Sequence, residues 1–281
     1  MGGGSILQKH SESFTALVLA GRRGASDEFA DALTAADAAP HHALLDVGGV
    51  PMLLRVIRVL RECPEIGRIV VCIDEPSALD AVPELAQGLA AGSLECRSAL
   101  DSPSRSVSDL LAKLSPGERA LVVTADHALL TPEMVAHITR ADANGADLLI
   151  AVVTSDVIRA RYPETQRTWL KFRDVWISGA NLFAFLTPEA QRAAEFWVRA
   201  ERFRKQPWKL VRAFGLGALL AFLFRRLDLD AAFARVSHTV GARVRAVRMP
   251  WAEAAINVDR PADLVLVNRI LSEREDPTAP E

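Results

Sequence analysis

The chain has 281 residues, half of them hydrophobic and 24% charged, which is enough apolar surface for one large folded domain and argues against disorder over most of its length. Its net charge of −2 gives no global nucleic-acid signal, so no nucleic-acid partner is expected. Cys63, Cys72 and Cys96 have no metal-ligand spacing and read as reduced, mostly buried thiols.

The opening residues, Met1 to Ile6, lack a basic stretch followed by an apolar one, so no signal peptide and a cytoplasmic location are expected. Phe14 to Ala20 reads as a first strand. A glycine turn follows, Leu19-Ala20-Gly21-Arg22-Arg23-Gly24. Glycines let backbone N–H groups approach phosphate oxygens, and two arginines add planar, permanently charged donors. Next comes His41-His42-Ala-Leu-Leu-Asp-Val-Gly-Gly-Val-Pro-Met52, leading into a helix over 51–61, where Met52, Val56, Val59 and Leu60 recur at helical spacing. Arg68 to Ile73 reads as a second strand, 106–114 as a helix, and Ala120 to Thr124 as a strand ending at Asp126. Thr131-Pro132-Glu133 is a helix start, with an N-cap threonine, proline at the first position and an acid in the first turn; this helix is expected over 131–144. Asp147 to Val153 reads as another buried strand.

Beyond Thr187 the texture changes. Residues 188–240 read as a mainly helical, arginine-rich insert within a single domain covering 1–281. The stretch 196–226 interleaves bases with aromatics around an apolar run, 213–224, that is too short to span a bilayer. Packing on the core, a homodimer interface and peripheral contact with a membrane or lipid acceptor all suit it. Arg243 to Arg248 then alternates like a half-exposed strand, and Pro261 to Arg274 reads as the closing helix. Alternating strands and helices predict an α/β/α sandwich on a mostly parallel sheet, with its ligand beyond the carboxyl ends of the strands.

Several motifs, in this order, resemble the MobA-like NTP transferase family. They are the strand ending in Leu19-Ala20-Gly21, the Leu44-Leu45…Gly49-x-Pro51-Met52 stretch, Ser102-Pro-Ser104-Arg105-Ser106-Val107, the strand-end Asp126, Ser178-Gly179-Ala-Asn181, and Asn257-Val-Asp259-Arg-Pro-Ala-Asp263-Leu. The resemblance implies a Rossmann-like, GT-A-type fold and Mg²⁺-dependent transfer of NMP from an NTP, with CTP or GTP favoured, to a phosphorylated small-molecule or lipid-head acceptor. It places Leu19, Ala20, Gly21, Gly24, Ser104, Arg105 and Ser106 at the nucleotide and Gly179 and Asn181 at the acceptor. It makes Asp126 and Asp259 metal ligands, and gives phosphate charge to Arg22, Arg23 and His42. Two departures stand out: the first loop runs Gly-Arg-Arg-Gly-Ala-Ser, and the lysine of the family motif falls on His42, which carries less charge near neutrality. Two rival readings remain. A glycosyltransferase of the same fold is disfavoured because Asp126-His-Ala is not the Asp-x-Asp metal motif. The other is a nucleotide-binding protein without catalysis. His127 reads as turned away from a metal.

Overall fold

The computed structural model describes residues 13–22, 39–203 and 226–275. Strands β1 (Phe14–Leu19), β4 (Ile66–Ile73), β6 (Arg119–Thr124) and β7 (Leu148–Thr154) are nearly continuous in apolar residues because both faces of each are covered. Side chains alternate between the faces. Ala16, Val18, Val71 and Val123 meet Leu53, Ile57 and Leu60 of α1 (Met52–Glu62) and Val267 and Ile270 of α8 (Pro261–Glu275). Leu17, Val70, Cys72 and Val122 meet Val107 and Leu110 of α3 (Pro103–Leu111) and Ala194 of α6 (Gln191–Phe203). These two apolar layers make the sandwich that the alternating pattern predicts.

The sheet has eight strands. Seven run in the order β10-β7-β9-β6-β1-β4-β5, with β5 at Glu95–Ser98, β9 at Trp176–Phe185 and β10 at Val244–Arg248. The eighth, β8 (Leu170–Lys171), pairs with β9. The β1–β4, β1–β6, β4–β5 and β7–β10 pairs are parallel. Strand β9 lies antiparallel between β6 and β7, and its register against β7 shifts between Ile150 and Val152. From β1 the chain crosses first to β4 and later to β6 on the opposite side. This reversal opens a crevice at the carboxyl ends of β1 and β6, where open α/β sheets bind ligands. A small antiparallel hairpin, β2 (Asp46–Val47) and β3 (Val50–Pro51), lies apart from this sheet.

Helices α2 (Pro83–Ala90), α4 (Pro132–Thr139), α5 (Ser155–Arg161) and α7 (Leu229–Val240) complete the described set. Helices α3 and α4 differ from the sequence expectation, and α3 ends at Leu111 and not at Leu114. Helix α3 starts three residues before Ser106, because the Ser102 hydroxyl accepts from Arg105 N–H at 3.4 Å and Pro103 takes the first position. Helix α4 stops at Thr139 and not at Asn144, where left-handed Asn144 (φ 44°) and Gly145 (φ 74°) turn the chain. Of the arginine-rich insert, 191–203 and 229–240 are helical, while 204–225 with the apolar run lies outside the described residues. Among the described residues no helix is long and apolar enough to cross a membrane.

Candidate functional site

A cleft of about 820 Å³ occupies the crevice. Leu19 and Gly21 line its floor at the end of β1, with Ala20 buried between them and tied to β4 by Ala20 N–H to Cys72 O (2.8 Å). Gly21 is sterically required: a Cβ there would meet the Ala99 Cβ at 2.7 Å. Arg22 turns toward β4, its N–H 3.3 Å from Asp74 Oδ1 and its Nε 3.7 Å from Oδ2. Arg23 and Gly24 lie outside the described residues.

His42 lines the cleft from a short 3₁₀ turn, His42–Leu44. His41 before it is fully buried. Its Nδ1 accepts from Ala43 N–H at 3.1 Å, so the ring proton sits on Nε2, which donates to Asp74 Oδ1 at 2.9 Å. Asp74 therefore ties the glycine turn to the histidine turn. Burial works against its charge, but the His41 hydrogen bond and backbone N–H groups outweigh this and hold its carboxyl below the usual range. Sequence reasoning missed His41 and Asp74 as a pair. The signal for Asp74 was its place directly after a buried strand, the same signal that singled out Asp126.

Asp126 follows β6, and Thr124 Oγ1 donates to its Oδ1. Its carbonyl accepts from Val258 N–H at 3.0 Å. That bond, made between residues far apart in sequence, brings the Asn257–Asp259 loop to the end of β6. Asp126, Asn257 and Asp259 all line the cleft. Asn257 is 4% exposed, and its Oδ1 has no partner among the described residues. Two carboxylates and a buried, unsatisfied amide oxygen form a donor set of hard oxygens that fits Mg²⁺, which takes few protein ligands and completes its shell with phosphates and water. His127 points elsewhere: it is fully buried, neither ring nitrogen has a partner among the described residues, and burial lowers its pKa to about 4.

Gly179 and Asn181 of β9 line the far wall. Asn181 has φ 48°, a left-handed conformation inside a strand, close to the register shift in β9. Side chains rarely hold such geometry without cause, and it concentrates at binding sites. Pro103 brings the α3 end to the cleft. Ser104 and Ser106 are buried and engaged: the Ser104 hydroxyl bonds Glu201 and lies 3.1 Å from Ser102 Oγ, and Ser106 Oγ accepts from Leu100 N–H at 2.9 Å. Arg105 pairs with Asp101 at 2.6 Å on the outer surface.

The cleft also holds two arginines that sequence reasoning did not single out, Arg167 and, within the late motif, Arg260. The Arg167 side chain is 6% exposed and donates from Nη2 to Asp263 Oδ1 at 2.7 Å; Asp263 is 3% exposed and also accepts from Arg260 Nε at 3.3 Å. Burial lowers the Arg167 pKa below the ordinary arginine value, against the pull of Asp263 and Asp259. Asp263, read as a first-turn residue of α8, is in addition the buried anchor of both guanidinium groups.

A model of the MobA-like NTP transferase domain matches residues 16–160. Among solved structures, a hypothetical transferase from Thermus thermophilus shares 26% identity at a TM-score of 0.72, covering 90% of this chain and 99% of that one. The 4-diphosphocytidyl-2C-methyl-D-erythritol synthase of Anaerococcus prevotii is 13% identical at a TM-score of 0.55, covering 94% and 99%. A CMP:2-keto-3-deoxy-manno-octonic acid synthetase complexed with CTP is 13% identical at 0.54, covering 93% and 100%. At that identity the last two are evidence of a shared fold alone. No curated protein sequence matches significantly.

Proposed function

We propose, on the premise that this chain belongs to the MobA-like NTP transferase family, that it transfers NMP from an NTP to a phosphorylated acceptor and releases pyrophosphate. The observation that carries the reading is the bond from Val258 N–H to the Asp126 carbonyl, with Asp126 and Asp259 lining one cleft. An acceptor phosphate oxygen attacks the α-phosphorus, the bond to the β-phosphate oxygen breaks, and pyrophosphate leaves. Little covalent chemistry falls to the protein in such a transfer, so positioning and charge neutralisation do most of the catalysis. The Gly21 turn, Arg22 and His42 would serve the triphosphate; Arg23 and Gly24, next in sequence, lie outside the described residues. Pro103 brings the start of α3 to the cleft where the nucleoside would lie, and Ser104, Arg105 and Ser106, engaged with Glu201, Asp101 and the Leu100 N–H, would position that segment. Gly179 and Asn181 face the acceptor.

Asp126 and Asp259, with the Asn257 amide oxygen, would hold Mg²⁺. The ion, when bound, supplies charge neutralisation for phosphate oxygens. CTP and GTP are the nucleotides to test first; two fold neighbours carry cytidylyl chemistry in their names. The experiment is pyrophosphate release from each of the four NTPs against a panel of sugar, polyol and lipid-head phosphates, with calorimetry of NTP binding alongside. Turnover is expected with one pair. Absence of both turnover and Mg²⁺-dependent binding refutes the reading, and binding without turnover identifies a nucleotide-binding protein that has lost catalysis.

A further inference from the structure

Arg167 is nearly buried, yet its hydrogen bonds do not exhaust it. A guanidinium has five N–H donors in a fixed fork. Among the described residues, Nε donates to Thr165 Oγ1 at 3.1 Å and Nη2 donates once to Asp263. The remaining N–H groups have no partner among the described residues, although Arg167 lines the cleft. None of these nitrogens is among the buried atoms left without a partner, so the spare donors are open to an anion entering the cleft. Beside it, Arg260 is fixed by Asp263 and by Nη2 donation to the Gln166 carbonyl at 2.6 Å. One buried carboxylate thus aligns two guanidinium groups at the same wall. Paired, rigid forks of this kind suit a planar or tetrahedral oxyanion.

Sheet order decides which anion. The triphosphate elements, Gly21 and His42, belong to the β1 side of β6. Arg167 lies three residues before β8, which pairs with β9, and β9 is on the other side of β6. It therefore shares its wall with Gly179 and Asn181. We propose that Arg167, positioned by Asp263 and assisted by Arg260, binds the anionic group of the acceptor. This rests on the nucleotidyl-transfer reading for the word acceptor, but the anion site itself does not.

The test uses the full-length protein and inorganic phosphate as probe, titrated calorimetrically with and without saturating CTP or GTP and Mg²⁺. Wild type should bind phosphate in both conditions. Arg167→Met combined with Asp263→Leu removes both members of the buried pair, and Arg260, which loses Asp263, is 46% exposed and keeps its bond to the Gln166 carbonyl, so no buried charge is left to unfold the chain. It should bind phosphate about 10- to 100-fold more weakly, the range for a lost charged hydrogen bond, while nucleotide affinity stays within about threefold of wild type. Arg167→Lys, which keeps the charge and loses the fork, should fall between. Undiminished phosphate binding by the double variant overturns the proposal, as does failure of wild type to bind phosphate. Displacement of phosphate by nucleotide also overturns it, because Arg167 would then belong to the triphosphate. If neither nucleotide binds while phosphate binding still requires Arg167, the transfer reading fails and the anion site stands.

Discussion

Replacing His127 by leucine should stabilise the protein, and most strongly at acid pH. The imidazole is fully buried and neither nitrogen has a hydrogen-bond partner among the described residues, so its neutral form already carries a desolvation cost of about 1–3 kcal/mol. Leucine has similar volume and no polar atom; at neutral pH the variant should gain about 1 kcal/mol. The pH dependence follows from the lowered pKa, about 4 in the fold against 6.5 ordinarily. Above 6.5 the ring is neutral in both folded and unfolded chains, and its contribution is constant. As pH falls below 6.5 the unfolded chain takes up a proton that the native state refuses until about 4, so wild type loses stability over that window. The slope is about 1.4 kcal/mol per pH unit and the total about 3 kcal/mol. Urea denaturation of both proteins, in half-unit steps from neutral to about pH 4, reads this as a widening gap at constant m-value. Carboxylate titrations affect both proteins alike and cancel in the difference. A gap that stays constant across the window would refute the reasoning.

Four further outcomes are expected. Asp126→Asn should lower kcat/KM for nucleotidyl transfer about 100- to 1000-fold with an unchanged thermal midpoint; activity near wild type would remove Asp126 from the site. Asn181→Gly should relieve the left-handed strain, raising stability by up to about 1 kcal/mol while raising the acceptor KM; a fall in both stability and KM contradicts the assignment. His42→Lys places a fixed charge where the family motif has one, and should lower the NTP KM severalfold, checked by initial rates at neutral pH. Asp74→Ala leaves the buried His41 Nε2–H without its acceptor and should cost about 1–3 kcal/mol, read by thermal or urea unfolding; no loss would mean that the bond does not hold the two turns.

Much of the fold was legible because the strands are short, apolar and β-branched and the helices between them keep a 3–4 period. β1, β4, β6, β7 and β10 fall within two residues of their sequence-read limits. What was not legible has physical reasons. β9 carries Gly179 and Asn181 in its middle, residues that ordinarily mark turns, so Trp176–Phe185 did not read as a strand although it completes the sheet between β6 and β7. β5 is only four residues long, Glu-Cys-Arg-Ser, and three of the four are polar. In the site, residues that follow strands, such as Asp126, announce themselves by position. Arg167 does not: Gln166-Arg167-Thr168 resembles any surface loop, and its burial exists only because Asp263 arrives from the other end of the chain. A residue defined by a long-range partner leaves no local pattern.

The stretch Asn257–Asp263 links the two halves of the site. In order along the chain it offers an unsatisfied amide oxygen, a carboxylate, a guanidinium and a buried carboxylate that holds a second guanidinium. Its frame is fixed at one end by Val258 N–H on the Asp126 carbonyl and at the other by Arg260 Nη2 on the Gln166 carbonyl at 2.6 Å and Arg167 Nη2 on Asp263 Oδ1 at 2.7 Å. The oxygen donors thus lie by the end of β6, and Arg260 lies beside Arg167 on the loop that leads into β8. A cation at the oxygen donors and an anion at the arginines would be kept at a separation that the backbone of this short, doubly anchored segment sets. That is the requirement for in-line transfer between two anionic substrates that would otherwise repel each other. It also explains why the buried Arg167–Asp263 pair is present where an apolar pair would pack more cheaply: leucine in place of Asp263 would preserve the helix and leave Arg167 with nothing to aim it.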